Sequence, residues 1–211
     1  PRRPVEEALA RGQIVILEID LQGAEQVRRT LPQAVEIFLS PPSWQCLVQR
    51  LSGRGTETPE QMQRRLETAR HEMAHAQDFD HVFAAQRDGA QWLIEDGVEG
   101  TQWLPLACSP SVHRRHEVEK VHDVCFIGNL VHGGRQRLVD LLRQEFPNTF
   151  IGQAYGDDMA LEFSRSRIVF NRSVKNDVNM RVFEAVACGS LLVTNDLTGN
   201  GQEELFRSGE H

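Results

Sequence analysis

The sequence predicts an α/β protein made of two partial units, each containing a parallel, Rossmann-like sheet. Short apolar or β-branched runs alternate with helical segments along the chain, which is the order expected of strand–helix–strand units. The pattern changes at Asp78–Phe83, so we place a seam there and divide the chain into residues 1–80 and 81–211. A length of 211 residues suffices for one large domain or two small ones.

Composition places the chain among ordinary globular proteins. It is 40% hydrophobic and 25% charged, and its formal net charge of −7 does not favour non-specific binding to nucleic acid. No apolar run approaches the roughly 18 residues that span a membrane. No apolar run follows Arg2 and Arg3, as it would in a signal peptide. We therefore expect a cytoplasmic protein with no membrane segment and no nucleic-acid partner.

The spacing of the cysteines also favours the cytoplasm. The four are widely spaced, none forms a CxxC pair, and they occupy positions 46, 108, 125 and 188. This pattern favours buried free thiols in a reducing compartment over disulfides. The chain opens on Pro1 rather than Met, which suggests a fragment or a processed end.

The first unit is predicted to begin with alternating helices and strands. Helical patterns cover residues 6–11, 22–29 and 44–51, and strand patterns cover residues 14–17 and 35–39. The first strand run leads into Glu18 and Asp20. These carboxylates would lie at the carboxyl end of a strand, where open α/β sheets bind their ligands.

A loop rich in glycine and threonine follows the third helix and is bordered by arginines. Thr58 and Pro59 predict the start of the next helix, as its N-cap and its first residue. Arg64, Arg65 and Arg70 follow on that helix. Arginines around a hinged loop suit a lid that closes over phosphates. The alternative is a solvated basic helix face.

The same helix carries a pattern that can bind zinc. Residues His71 to His75 read H-E-x-x-H, which places two histidines one helical turn apart with Glu72 between them. No third ligand stands out downstream. We therefore prefer solvent-facing histidines and expect no metal site.

The first unit resembles the C-terminal half of guanylate kinase over roughly residues 5–83. The resemblance is carried by the runs VILEIDLQGA at 15–24, IFLSPPS at 37–43 and RLSGRGTET at 50–58, and by Arg65, Leu66 and Glu72. It implies a P-loop-kinase-like fold in which Asp20 helps to hold the guanine of GMP. It also implies that Arg50, Arg54 and Arg65 hold the phosphates of ATP and GMP.

The chain departs from guanylate kinase in its phosphate-binding parts. It contains no G-x-x-x-x-G-K-[ST] motif, whose amides and lysine would cradle the phosphates. The tyrosine-rich GMP-binding domain is missing, since Tyr155 is the only tyrosine, and Ala85-Gln86 replaces the family's Asn-Asp. We infer that this segment alone cannot transfer phosphate.

The second unit continues the alternation of strands and helices. Strand patterns cover residues 81–85, 124–130, 149–152, 167–171 and 191–194, and helical patterns cover 88–96, 136–145, 176–188 and 203–206. The apolar stretch 103–107 contains Pro105, which argues for an edge or crossover segment. Residues 113–120 form a charged linker, as between two lobes, or a plain loop.

A glycine-rich turn links the strand at 124–130 to the following helix. Gly128, Asn129, Gly133 and Gly134 lie in this turn and Arg135 follows it. Glycines there allow the phosphates of a nucleotide to approach the backbone, and the dipole of the next helix favours anions. The sequence is not G-x-G-x-x-G, so the turn alone is a weak signal.

The helix predicted to be capped by Asn176 and Asp177 carries the most informative polar residues. Asn179 lies near its start, and Arg181 and Glu184 are three residues apart on one face. A carboxylate here could accept both hydroxyls of a ribose while the helix N-terminus faces a diphosphate. A buried amphipathic helix is the alternative explanation.

Residues 79–211 resemble the donor-binding C-terminal lobe of GT-B glycosyltransferases, most closely the CgeB/YkvP-like family. The resemblance is carried by the helix segment 171–194 and by the runs WLPLAC at 103–108, DVCFIGN at 123–129 and ELFRSGEH at 204–211. It implies that Glu184 is the second acid of an E-x7-E motif and binds the nucleotide ribose. The first acid of that motif falls at Asn176, beside Asp177.

Three functional hypotheses follow. The first is a glycosyltransferase-like fragment that binds a nucleotide-sugar donor, with Glu184 on the ribose and Gly128, Gly133 and Arg135 near the diphosphate. The second is a guanylate kinase that converts ATP and GMP, and the third is a non-catalytic binding module or relic. We expect no tightly bound cofactor, although Mg²⁺ could accompany a nucleotide. Open sheet edges could also allow self-association.

Overall fold

The structure is a computed structural model that describes residues 2–41, 44, 47–48, 51, 58–131, 134–174, 176–197 and 199–207. The helices are α1 (Arg2–Ala10), α2 (Leu21–Thr30), α3 (Pro59–Ala74), α4 (Arg87–Glu95), α5 (Arg135–Glu145), α6 (Gly156–Ser164), α7 (Met180–Ala187) and α8 (Gln202–Leu205). The strands are β1 (Ile37–Ser40), β2 (His81–Ala84), β3 (Gln102–Trp103), β4 (His122–Ile127), β5 (Thr149–Gly152), β6 (Ser166–Phe170) and β7 (Leu191–Val193). A 3₁₀ turn over Ala76–Asp78 joins α3 to β2.

Two parallel sheets organise these elements. The first has the strand order β1–β2–β3 and the second has the order β5–β4–β6–β7. The predicted fold class, α/β with two parallel units, is thereby confirmed. Among the described residues, no helix combines the length and apolar character needed to cross a bilayer.

Each sheet has a core of its own. In the first, the buried side chains of Val82 and Ala84 on β2 pack against Leu93 of α4. In the second, Cys125 and Ile127 of β4 join a larger cluster to which α6 and α7 contribute. Apolar residues of the central strands therefore face their helices, as parallel sheets covered by helices require.

One predicted strand is wrong. Residues 14–17 form no strand, and the side chains of Ile14 and Ile16 are 94% and 90% exposed. A β-branched run becomes a strand only where a neighbouring strand supplies hydrogen bonds. Here β1 lies at the edge of its sheet, and the run does not pair with it.

The predicted cap of α7 is also wrong. The helix starts at Met180 with Asn179 as its N-cap, three residues later than Asn176 would place it. Asn176 has a left-handed backbone with φ of 56°. The backbone N–H of Asp177 donates to Oγ of Ser173 over 2.9 Å, and that hydroxyl donates to the Asp177 carboxylate. This local bonding competes with helix formation and delays the start of α7.

The seam of the sequence lies inside the first sheet. β2 pairs with β1 in a parallel register that aligns His81 with Ile37. Just before that register, the Glu36 backbone N–H donates to the Asp80 carboxylate over 2.8 Å, and the His81 N–H donates to the Glu36 carbonyl over 3.2 Å. Arg28 forms an ion pair with Glu36. The sheet thus contains strands from both sides of residue 80, and the division at 80/81 stays a prediction about sequence ancestry.

The start of α4 contacts the segment that precedes α7. The buried side chain of Gln86 accepts a hydrogen bond from the Val178 N–H over 3.0 Å and donates to the Val178 carbonyl over 3.4 Å. Asn200 accepts from the Asp88 N–H over 3.1 Å and donates to the Asn176 carbonyl. The approach to α7 is therefore fixed by polar contacts from the first sheet.

Candidate functional site

The second sheet has a topological switch point between β4 and β6. The chain passes from β4 to β5 on one side of β4, and then crosses to β6 on the other side. In open α/β sheets the segments after two such strands diverge and leave a crevice at the carboxyl edge, which is therefore expected between β4 and β6. Open α/β sheets bind ligands in such a crevice. Gly128 and Asn129 follow β4, and Asn171 and Arg172 follow β6.

Arg135 joins the two sides of this crevice. Its Nε and Nη2 atoms donate to the Arg172 carbonyl over 3.0 and 2.6 Å, and Nη1 donates to the Asn129 carbonyl over 3.1 Å. Burial lowers the pKa of Arg135, and the nearby positive charge of Arg181 lowers it further. The guanidinium therefore acts first as a cross-link between the segments after β4 and β6.

The turn after β4 is closed by its own side chain. Oδ1 of Asn129 accepts a hydrogen bond from the Val131 N–H over 2.8 Å. Gly134 is the left-handed N-cap of α5, with φ of 67°. Gly133 lies outside the described residues. Of the predicted phosphate-binding residues in this turn, Asn129 and Gly134 thus have local structural roles.

Arg181 lies beneath Gly128 with a donor unused. A Cβ atom placed on Gly128 would be 3.3 Å from Nη1 of Arg181, so the guanidinium packs directly against this backbone. Nε of Arg181 is buried and has no hydrogen-bond partner among the described residues. Burial lowers the pKa of Arg181, and the charge of Glu184 opposes that shift. The guanidinium is thus a desolvated donor beside a glycine backbone.

Two further buried polar atoms at the same edge of the sheet have no hydrogen-bond partner within the described ranges. They are Nε of Arg172 and Oδ1 of Asn179. Asn179 uses its amide nitrogen to donate to Oδ1 of Asn171 over 3.4 Å, and Asn171 donates to Thr194 over 3.1 Å. Buried polar groups normally have partners, so a cluster without them marks a place that can accept a polar ligand. Sequence reasoning missed Arg172 because it lies after a strand and outside any motif.

Glu184 is buried on α7 and faces the linker before β4. Its Oε1 lies 3.6 Å from Nε2 of His113, and the two side chains are 8% and 10% exposed. His113 accepts a hydrogen bond at Nδ1 from the Ser109 N–H over 3.2 Å. The carboxylate therefore lies close to a linker residue, which the sequence pattern assigned to a charged linker or a plain loop.

Of the predicted kinase-like residues, Asp20 has a defined structural role. Its carboxylate caps α2 by accepting a hydrogen bond from the Gly23 N–H over 2.8 Å. Arg65 is exposed on α3, and Arg50 and Arg54 lie outside the described residues. Asp20 thus lies at the start of α2 and Arg65 on α3, and a shared nucleotide-binding role of the four residues stays a prediction.

The H-E-x-x-H pair lies near the end of α3. The rings of His71 and His75 are 4.4 Å apart in an edge-to-face arrangement, and Nδ1 of His75 donates to the His71 carbonyl over 2.8 Å. Within the described ranges, no group of three or more histidine, cysteine or carboxylate side chains is arranged to hold a metal ion.

A groove of about 480 Å³ lies elsewhere, along α5. Its lining consists of Gly134, Gln136, Arg137, Asp140, Leu141 and Gln144. Because one helix and its N-cap supply this lining, polar groups from separate elements do not converge there, as they do in most ligand sites. The crevice between β4 and β6 is the better candidate.

Comparison with known proteins also finds two different families in the two parts of the chain. Residues 2–90 match the model of the guanylate kinase family, and residues 114–211 match a family described as glycosyl transferase-like. Similar curated proteins are guanylate kinases from Cutibacterium acnes (66% identical over 82 residues), Thermobifida fusca (62% over 80) and Corynebacterium jeikeium (55% over 82).

These alignments cover only part of each protein. They span 39%, 38% and 39% of this chain and 41%, 41% and 44% of the three relatives, in the order given. The chain thus spans about two fifths of the length of the curated relatives that it matches. The predicted composite character is confirmed, whereas the narrower CgeB/YkvP-like and GT-B assignments stay predictions. The chain is a composite, with a guanylate-kinase-like part at residues 2–90 and a glycosyl-transferase-like part at residues 114–211.

Proposed function

We propose that the glycosyl-transferase-like part binds a nucleotide-sugar donor in the crevice between β4 and β6, for glycosyl transfer. The observation that carries this proposal is Arg181, a partly buried residue whose guanidinium packs under Gly128 and whose buried Nε has no partner among the described residues. Arginine donors suit the oxygens of a diphosphate, and a glycine backbone permits close approach. The position at a switch point supports the same ligand class.

The roles of the individual residues follow from their positions. Arg181 and Arg172 would donate to the diphosphate from opposite sides of the crevice, through Nε atoms that have no partner within the described residues. Arg135 would hold the two segments in register through the carbonyls of Arg172 and Asn129. Glu184 would accept the hydroxyls of the ribose, as its place in the resemblance implies.

These residues also suit the chemistry of glycosyl transfer. Transfer breaks the bond between the anomeric carbon and a diphosphate oxygen, so negative charge develops on the departing diphosphate. A buried guanidinium is most effective at stabilising such charge because little water screens it. Arg181 would therefore favour departure of the nucleotide as well as its binding.

A magnesium ion would accompany the nucleotide rather than sit on the chain. Mg²⁺ prefers carboxylate and phosphate oxygens. The nearby carboxylate of Asp177 is hydrogen-bonded to Ser173, and arginines dominate the rest of the crevice. The side chains thus fit an anion with its own counter-ion, and Mg²⁺ would supply further neutralisation of the diphosphate when bound.

Calorimetric titration with UDP, UDP-glucose and GDP tests the proposal. We expect Arg181→Met to weaken binding by more than about tenfold, equivalent to roughly 1.4 kcal/mol. Glu184→Ala should have an effect of similar size. Arg137→Met is the matched control, because Arg137 lies on the α5 groove and not in the crevice. Equal affinity of the wild-type chain and Arg181→Met would refute the assignment.

Guanylate kinase activity is the second candidate, and the 66% identity of the first part to a known guanylate kinase favours it. This activity requires a phosphate-binding loop of the G-x-x-x-x-G-K-[ST] type, which the 211 residues do not contain. A rise in melting temperature with GMP or ATP, lost in Arg54→Ala, would support this candidate. Cooperative melting without a shift for any nucleotide would instead favour a non-catalytic module.

A further inference from the structure

We infer that Gln86 is a positioning residue for the crevice, so that donor binding depends on a contact made by the guanylate-kinase-like part of the chain. The inference rests on the proposed function, because it concerns the helix that carries Arg181. It adds a residue from α4 that itself touches no ligand. Gln86 lies within the match to the guanylate kinase family, whereas Arg181 lies in the glycosyl-transferase-like part.

The side chain of Gln86 makes its hydrogen bonds outside its own helix. Gln86 is the N-cap of α4, yet its side chain makes no capping hydrogen bond there. Instead, this buried side chain accepts from the Val178 N–H over 3.0 Å and donates to the Val178 carbonyl over 3.4 Å. The amide thus holds both backbone groups of a residue that lies 92 positions further along the chain.

The first turn of α7 needs this external support. The first N–H groups of a helix have no partner within the helix, and a side-chain cap normally satisfies one of them. Asn179, the N-cap of α7, makes no such side-chain bond. The preceding residue, Val178, is 2% exposed and shares a buried apolar cluster with Val182. The position of Val178 therefore determines where the first turn of α7 lies, and Gln86 fixes Val178.

A second amide holds the chain just before Val178. Asn200 is buried, accepts a hydrogen bond from the Asp88 N–H over 3.1 Å and donates to the Asn176 carbonyl. Asp88 follows Gln86 by two residues at the start of α4. The start of α4 thus holds the approach to α7 at two points, directly at Val178 and through Asn200 at Asn176. Two such points resist rotation of the segment between them.

The donor proposed to bind the diphosphate comes directly after these two points. Arg181 follows Val178 by three residues, and its buried Nε has no hydrogen-bond partner among the described residues. Hydrogen bonds weaken steeply when their distance and angle depart from the preferred values. A displacement of Val178 would move the first turn of α7 and misalign this donor. Gln86 therefore acts on the ligand through the start of α7, as supporting residues do in binding sites.

Calorimetric titration with UDP tests this role. Gln86→Met keeps the length of the side chain and removes both hydrogen bonds to Val178. We expect it to weaken UDP binding by about three- to thirtyfold, the range over which residues without ligand contact alter affinity. Thr58→Ala is the matched control, because it destabilises the first part of the chain by removing the α3 cap. Its UDP affinity should stay within about twofold of the wild-type value.

A double-variant cycle shows whether Gln86 acts through Arg181. If it does, Gln86→Met should weaken binding by less than about twofold when Arg181→Met is already present. Equal losses in both backgrounds would overturn the inference. Wild-type affinity in Gln86→Met, or equal losses in Gln86→Met and Thr58→Ala, would also overturn it, and in all these cases the proposed function stands. If the wild-type chain does not bind UDP, the proposed function fails and the inference fails with it.

Hydrogen exchange on the unmodified chain covers the case in which Gln86→Met does not fold. Coupling is reciprocal, so a ligand whose binding depends on the contact with Val178 also stabilises that contact. We expect saturating UDP to slow exchange of the Val178 N–H more than exchange in α2, which belongs to the first part of the chain. Equal slowing in both places, or unchanged exchange at Val178 while UDP binds, would contradict the positioning role.

Discussion

Replacing Gly201 by alanine should weaken the packing of the C-terminal segment against Trp103 of the first sheet. Gly201 precedes α8 and has φ of 86°. A Cβ atom at this position would lie 2.2 Å from Cη2 and 2.5 Å from Cζ2 of Trp103, which ends β3. Real carbon contacts begin near 3.4 Å, so the indole or the backbone must move by about 1 Å. The Arg87 guanidinium also lies over this indole, with its Cζ 5.9 Å from the ring centroid.

The expected cost has two parts that a matched control can separate. A left-handed backbone costs an alanine about 1 kcal/mol, and overlap in a packed site adds roughly 1–3 kcal/mol. Gly199 has nearly the same backbone, with φ of 85°, but nothing within 4 Å of its Cβ position. Gly199→Ala should therefore show the backbone cost alone, and Gly201→Ala should show both.

Urea unfolding followed by tryptophan fluorescence measures the difference. We expect Gly201→Ala to lower the free energy of unfolding by at least about 1 kcal/mol more than Gly199→Ala. Trp103→Ala should remove this difference in the double variant, because the overlapping ring is gone. Equal losses for the two glycine variants would show that residue 201 does not pack on Trp103.

Three more predictions follow from the structure. Burial raises the pKa of the Cys125 thiol from its ordinary 9.0 to about 12. The preference of the folded state for the protonated thiol therefore contributes fully to stability below pH 9, and this contribution is lost as the pH rises towards 12. Urea midpoints should fall across that range, and they should fall less in Cys125→Ala. Asp20→Ala should lower the free energy of unfolding by about 1 kcal/mol by removing the α2 cap, while Asp20→Asn should change it little; equal losses would argue against the cap. Leu39 is 70% exposed on the edge strand β1, so any self-association through that edge should weaken in Leu39→Lys; light scattering would show it, and an unchanged oligomer would place the contact elsewhere.

Local signals in the sequence predicted the elements that local physics determines. Thr58 and Pro59 predicted the start of α3. The structure shows a full capping box there, in which the Gln61 N–H donates to Oγ1 of Thr58 and the Thr58 N–H donates to Oε1 of Gln61. By contrast, the run at 14–17 predicted a strand that depended on a partner. Helix α6 (Gly156–Ser164) was missed, since its starting residues resemble a turn and the side chain of its N-cap, Tyr155, makes no capping hydrogen bond.

The residues of the candidate site also fall into two groups, those that local sequence signals suggested and those that they did not. Gly128, Arg181 and Glu184 were proposed from the sequence because a strand, a glycine turn and a helix face suit one edge of a parallel sheet, and their ligand-binding roles stay predictions. The roles of Arg172 and His113 could not, because both lie in irregular segments. Arg172 is held by a long-range hydrogen bond from Arg135, and His113 by an irregular turn with Ser109, and neither contact follows the period of a helix or a strand.

The seam between the two ancestries does not coincide with a gap in the structure. Gln86 lies within the guanylate-kinase match, yet its amide is hydrogen-bonded to both backbone groups of Val178, next to the N-cap of α7. A buried amide that loses its partners incurs a desolvation cost of about 1–3 kcal/mol, so this contact favours keeping the two parts together. Any shift of α4 would therefore be transmitted to the start of the helix that carries Arg181 and Glu184. A joint formed between unrelated sequences needs contacts that replace those each part has lost, and the Gln86 amide supplies one such contact.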